Sequence, residues 1–382
     1  MHRLVMVQEA LTQLQTLFPW LPRPEHKALA GLLCGAVLAH SLILSRIVSQ
    51  LPSRAREGSK GRRAQRLLAN PRLDARAAQD DLSRRALGSR RGRVDLLLDA
   101  TTTGASAHDP GTTSLIVMLA RRGRAQPLSW RTWPAHQKEQ DWSGAIPDLL
   151  APIAAAAPAE VQLVLQTDRG LGNANMARAA LAAGLHFLLR ITKSTQVQLP
   201  EGTVLPLGAL APAPGTSRLV SGARIGPERS KRGRTWHSDW STALTVNIVA
   251  VWRRGDREPW LLITDLPAQR RRCSEYRRRT WEELALRDSK RLGFDWGHSR
   301  IRRPERVERL LLVLALALLW LLATTQRVVR RGQRRLVDAP GRRTLSEVEV
   351  GRRWLQRRLT NAQRVPCYLT FLAIHAAPLK LS

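Results

Sequence analysis

The run VDLLLDATTT from Val94 to Thr103 decides the reading of this chain. It is too short to be read as a helix, and it carries one acidic side chain, Asp99, inside the apolar stretch Leu96 to Ala100. SLIVMLARR (Ser114 to Arg122) and RAQPLSWRTW (Arg124 to Trp133) follow at turn-sized intervals, so the spacing predicts a three-strand meander. Downstream, Gln140 to Ala156 reads as helix and EVQLVLQTD (Glu160 to Asp168) as a buried strand. NANMARAALAAG (Asn173 to Gly184) then reads as helix and HFLLRIT (His186 to Thr192) as strand.

Three antiparallel strands followed by alternating helix and strand is the order of the RNase H-like fold. The expected class is therefore α/β (α+β), a mixed sheet with flanking helices. Five regions are expected. Residues 1–90 form a helical DNA-binding region, and residues 91–192 the first part of the core. Residues 193–268, rich in Gly, Pro and Thr, form a β-rich insertion, and residues 269–330 the second part of the core. Residues 331–382 form a basic tail with one helix near Leu345 to Leu359. In the first region the helices are expected at Leu4 to Phe18 and Lys27 to Leu51, followed by shorter pieces.

Lys and Arg number 62 against 30 Asp and Glu, a net charge of +32 and a pI near 11.7. Such an excess points to an acidic polymer as partner, and double-stranded DNA is the first candidate. KGRRAQRLLANPRL (Lys60 to Leu73) puts Arg62, Arg63 and Arg66 close together on one helix, where they suit a phosphate backbone or a solvated face equally well. The three cysteines, Cys34, Cys273 and Cys367, are far apart and suggest neither a disulfide framework nor a zinc knuckle, which fits a cytoplasmic protein. Leu310 to Ala323 is fourteen apolar residues, short of the ~20 that cross a bilayer, and is expected to be a buried core helix.

Asp99 and Asp168 each sit within or at the end of an apolar strand. A carboxylate there is costly to desolvate unless something compensates, and a metal ion is one compensation. Two-metal phosphoryl transfer needs such acids to hold divalent ions about 3.5–4 Å apart. YRRRTWEELALRDSK (Tyr276 to Lys290) supplies a third. On a helix Tyr276, Arg279, Glu283 and Lys290 share one face, so Glu283 could ligate metal while Arg279 and Lys290 grip phosphates. Glu282 and Asp288 stand near, and spacing alone does not exclude them.

That spacing, Tyr276, Arg279, Glu283, Lys290, resembles the Y-R-E-K signature of DDE transposases of the insertion-sequence-four family. LLLDATTT and DRGLGN (Asp168 to Asn173) are similar to the family's two aspartate segments, and the likeness covers about residues 94 to 325. The resemblance implies an enzyme that binds terminal inverted repeats as a homodimer. It would cut and join DNA with Asp99, Asp168 and Glu283 around two Mg²⁺ or Mn²⁺ ions, without a covalent intermediate. It also implies that Trp260 stacks on a base flipped from the cut site, a core Trp being the other reading, and that Tyr276 supports a backbone contact. The alternative from a different class is a catalytically inactive or domesticated DNA-binding remnant of such an enzyme.

Overall fold

The computed structural model describes residues 2–51, 53, 55–105, 110–121, 123–135, 142–232, 235–289 and 293–371. The chain opens with α1 (His2–Leu17), α2 (Arg23–Ala39), α3 (Leu44–Gln50), α4 (Glu57–Ala69) and α5 (Ala75–Leu87). The helix expected over Lys27 to Leu51 is in fact two, bent by 99°. His40 takes the left-handed conformation (φ 48°) and donates its N–H to the Ala36 carbonyl, ending α2. A contact from far along the chain sets this break: the His40 and Phe294 rings lie 4.9 Å apart, and Leu42 N donates to Phe294 O at 2.6 Å. Gly35 lets α3 fold back closely, since a Cβ there would sit 2.8 Å from Ile47 Cγ2. Asp74 caps α5 by accepting from the N–H groups of Arg76 and Ala77.

A ten-stranded mixed sheet follows. Its first half comprises β1 (Gly92–Thr103), β2 (Thr112–Arg121), β3 (Arg124–Pro134), α6 (Trp142–Ala156), β4 (Val161–Thr167), α7 (Ala174–Ala182) and β5 (His186–Arg190). The three-strand meander is present, with β1 antiparallel to β2 and β2 to β3. β1 then pairs in parallel with β4, and β4 with β5. The second half comprises β6 (Gln196–Gln198), β7 (Val204–Pro206), β8 (Ser217–Ile225), β9 (Glu228–Arg232), β10 (Thr235–Asp239), β11 (Leu244–Val251) and β12 (Trp260–Thr264). Residues 193–268 are β-rich, and they extend the central sheet, in the order β3-β2-β1-β4-β5-β12-β11-β8-β6-β7. β9 and β10 form a separate two-stranded ribbon.

The closing helices are α8 (Arg271–Tyr276), a 3₁₀ turn at Arg277–Arg279, α9 (Thr280–Ser289), α10 (Pro304–Arg330) and α11 (Glu347–Thr360). Of the described helices α10 alone is long and apolar enough to cross a membrane, and 89% of its apolar window is buried inside the protein. It lies against β3, α2, α4, α5 and α11. The sheet separates two cores because side chains alternate along each strand. Leu97 of β1 joins the core that contains α10 and the first helices, while Leu96 and Leu98 face α6 and α7. On β4, Val164 joins a third cluster with Cys273 and Tyr276 of α8. Asp99 continues the parity of Leu97, and Asp168 that of Val164, so both carboxylates emerge on the face covered by α8, α9 and α10.

Candidate active site

Parallel pairing of β1 with β4 ends at Leu98 opposite Thr167. The next residues are Asp99, inside β1, and Asp168, just past the end of β4. A tight turn holds Asp168: its Oδ1 accepts from the N–H groups of Gly170 (2.8 Å) and Leu171 (3.1 Å), and its carbonyl accepts from Gly172 N (2.7 Å). Gly172 is dictated by close approach, because a Cβ would lie 2.0 Å from the Arg190 carbonyl oxygen.

The segment that brings the third carboxylate is pinned to the sheet by a buried ionic network. Asp95, four residues before Asp99 on the same face of β1, receives Arg93 (2.7 Å), Gln166 (2.9 Å) and Arg278. Arg93 also binds Glu275 at 2.6 Å, and Glu275 in turn holds Arg272 at 2.7 Å. The Tyr276 hydroxyl donates to Thr167 O at 3.0 Å, beside Asp168. Sequence reasoning passed over Asp95, although alternation along the strand places it beneath Asp99. Its charge is satisfied by arginines, which makes it a girder.

The resemblance points to Glu283 as the third acid, and the structure places Glu283 with its side chain 60% exposed, bound to Arg279 at 2.8 Å. Its neighbour Glu282 is fully buried and faces the aspartates. The 3₁₀ turn breaks the continuous helix on which Tyr276 and Glu283 would share one face: three residues at the tighter pitch add about 60° of rotation, which brings Glu282 from about 120° to about 60° from Tyr276 and carries Glu283 to the other side. Glu282 thereby joins Ala285, Asp288 and Ser289 on the buried stripe of α9. Neither oxygen of Glu282 receives a hydrogen bond from a donor, and it can bond to Asp99 only by sharing a proton. Burial first, and then Asp99, push its carboxyl far above the usual range.

Arg279 is the cation among these acids. Its guanidinium lies 3.7 Å from Asp168, 3.9 Å from Glu282 and 2.8 Å from Glu283, and its side chain is mostly buried. Asp288, also weighed from sequence, is bound by Arg124 at 3.1 Å. Lys290 lies outside the described residues. Trp260 meets Tyr276 edge-on at 5.6 Å, with Arg253 over its ring at 5.7 Å. It is half-buried beside the Tyr276 hydroxyl that contacts Thr167 O. Arg62, Arg63 and Arg66 form an exposed face of α4, a separate element.

The structure thus brings together Asp99, Asp168, Glu282, Arg279, Tyr276 and Trp260. The donor chemistry suits a hard divalent cation, being carboxylate oxygens throughout with the buried Glu282 pair unmatched by any donor. Among the described residues no group of three or more His, Cys, Asp or Glu stands arranged to hold a metal ion as the side chains lie, and Arg279 bridges Asp168 and Glu282. No protein-family model and no curated protein matches this chain.

Proposed function

We propose that this chain is a DNA strand-cutting and strand-joining enzyme of the DDE transposase kind, built on an RNase H-like core formed by β1 to β5. The observation that carries the reading is the meeting of three carboxylates from separate elements: Asp99 and Asp168, each one residue beyond the last pair of the adjoining parallel strands β1 and β4, and Glu282 buried against Asp99. Isolated acids at strand ends are common, but a fully buried Glu without a donor beside two Asp is costly and calls for a functional reason. The meander followed by two parallel strands, and the excess of 62 basic over 30 acidic residues, support the same reading.

Asp99, Asp168 and Glu282 would hold divalent ions, Mg²⁺ or Mn²⁺, with Glu283 the rival third ligand that the signature names. Such ions, when bound, activate the attacking oxygen and stabilise the leaving one. Arg279 can move from the carboxylates to a DNA phosphate, a planar two-bond partner for either. Tyr276, fixed to Thr167, holds the segment in register, and Trp260 offers a ring face beside it for a nucleobase. The excess of cations binds the duplex, and a homodimer would bring two element ends together.

A labelled transposon end with Mg²⁺ or Mn²⁺, run beside a gel shift, tests this. Asp99→Ala, Asp168→Ala and Glu282→Ala should each lose several orders of magnitude in cleavage while still binding DNA. Wild-type cleavage by Glu282→Ala, with loss in Glu283→Ala, would return the third position to Glu283. The second reading, a DNA-binding remnant, draws on the absence of an arranged metal group among the described residues. It predicts binding without cleavage in the wild type.

A further inference from the structure

Glu258, in the loop between β11 and β12, holds two arginines that flank the Asp168 turn. Its Oε2 accepts from Arg169 at 2.6 Å and its Oε1 from Arg190 at 2.7 Å. Arg169 follows Asp168 directly, and its side chain is 57% exposed. Arg190 ends β5, and its carbonyl packs on the same turn at Gly172. Arg190 Nη2 also donates to Pro259 O at 3.2 Å, which anchors this guanidinium independently of the carboxylate. The Glu258 side chain is itself 45% exposed, so solvent reaches the ion pairs. Arg253, Arg254 and Arg257 stand in the same loop, where Asp256 is the other acid.

We propose that Arg169 and Arg190 form a clamp for a DNA backbone phosphate beside the cut site, and that Glu258 occupies this clamp until DNA displaces it. A carboxylate and a phosphodiester are both monoanions that offer two oxygens, and the planar fork of an arginine fits either. Exposed ion pairs contribute little to stability, so the exchange is cheap. The displaced carboxylate returns to water, which it already half meets. Five arginines stand in or against this loop, and their combined field favours a polyanion over a single acid. A contact of this kind fixes the position of the strand and carries no sequence information. Placing the phosphate at the cut site rests on the strand-cutting reading, whereas binding by the two arginines does not.

The test is duplex binding by the full-length protein in chelator, where no cutting competes, with the melting temperature followed beside it. Glu258→Gln should bind about threefold to tenfold more tightly than the wild type at low salt, because a competing charge is removed. A purely structural tie predicts affinity that is unchanged or lower. Glu160→Gln makes the same charge change on an exposed side chain beside the start of β4, at the far end of that strand, and should gain much less. The gain from Glu258→Gln should be partly lost with Arg169→Gln, whose exposed position spares the fold. It should fall to the Glu160→Gln level once Arg169 and Arg190 are both Gln. The same proteins titrated with inorganic phosphate, read by melting temperature, separate the two sources of phosphate. A gain with DNA and none with phosphate supports the clamp, and a gain with phosphate alone overturns its assignment to DNA. A gain that survives the loss of both arginines, or that Glu160→Gln equals, overturns the clamp itself. Wild-type protein that never cuts DNA would sink the strand-cutting reading and leave these binding results to judge the clamp.

Discussion

Arg279 ties together Asp168, Glu282 and Glu283, and two of these acids are ones the proposed chemistry uses. Removing this cation takes the nearest positive charge away from Asp168 and from the buried Glu282 that faces it, which destabilises the fold when no metal ion is present. Arg279→Gln should therefore melt well below the wild type in chelator, and Mn²⁺ should raise its melting temperature more than that of the wild type. Equal shifts would show that Arg279 and the ion do not share these carboxylates. The charge state of Glu282 also has a pH signature. Its folded-state pKa is raised above the ordinary 4.5, so above that pH the folded chain holds a proton that the unfolded chain has released. Stability from this group is greatest below 4.5 and is lost as the pH climbs above it. Glu282→Gln should flatten that decline in chelator, and an unchanged slope would assign it to other groups. Asp99 and Asp168 were legible in the sequence because each interrupts an apolar strand. Glu282 was one of three candidate acids, and it is buried by the packing of α9, whose approach to the sheet is pinned in part by Arg278 on Asp95. Local spacing cannot see an ion pair made across 183 positions.

At the scale of elements, one glycine sets how closely two helices approach. A Cβ at Gly351 would lie 2.4 Å from the Leu321 carbonyl oxygen, so Gly351 allows α11 to lie on α10. Gly351→Ala must push the helices apart, at a cost of about 1–3 kcal/mol. A drop in the urea midpoint with unchanged slope is the expected result, and an unchanged midpoint would mean the helices shift freely. Within α10, Leu314 is 1% exposed, and Leu314→Asp would bury an unpaired charge. Insoluble or unfolded protein is expected, and a soluble, fully active variant would remove α10 from the core. The strands β1 to β5 and the long apolar α10 could be read from sequence because burial writes itself into short apolar runs. The kink at His40 could not, since Phe294 imposes it. Nor could the pairing of β12 with β5, because strand partners are chosen by three-dimensional proximity and a β-rich composition fits a separate sheet as well as an added edge.

The first helices and the last share one core: Leu14, Leu33 and Leu67 belong to the same buried cluster as Leu314 of α10 and Trp354 of α11. Cutting away residues 1–85 would expose the apolar sides of α10 to water, so deletion is a poor way to ask whether this region reads DNA. Replacing exposed charges asks the question without touching the core. Arg62, Arg63 and Arg66 are all exposed on α4. Each phosphate contact contributes about −0.9 to the slope of log affinity against log salt. If all three touch the backbone, the Arg62→Ala, Arg63→Ala, Arg66→Ala protein should show a slope shallower by about two to three, with unchanged melting temperature. Affinity for unrelated duplexes should fall by the same factor, since phosphate contacts carry no sequence information. Titrations from low to physiological salt on two duplexes of different sequence give both quantities. An unchanged slope would place the DNA path elsewhere on this basic surface. A loss confined to one duplex would mean that α4 reads bases as well as phosphates.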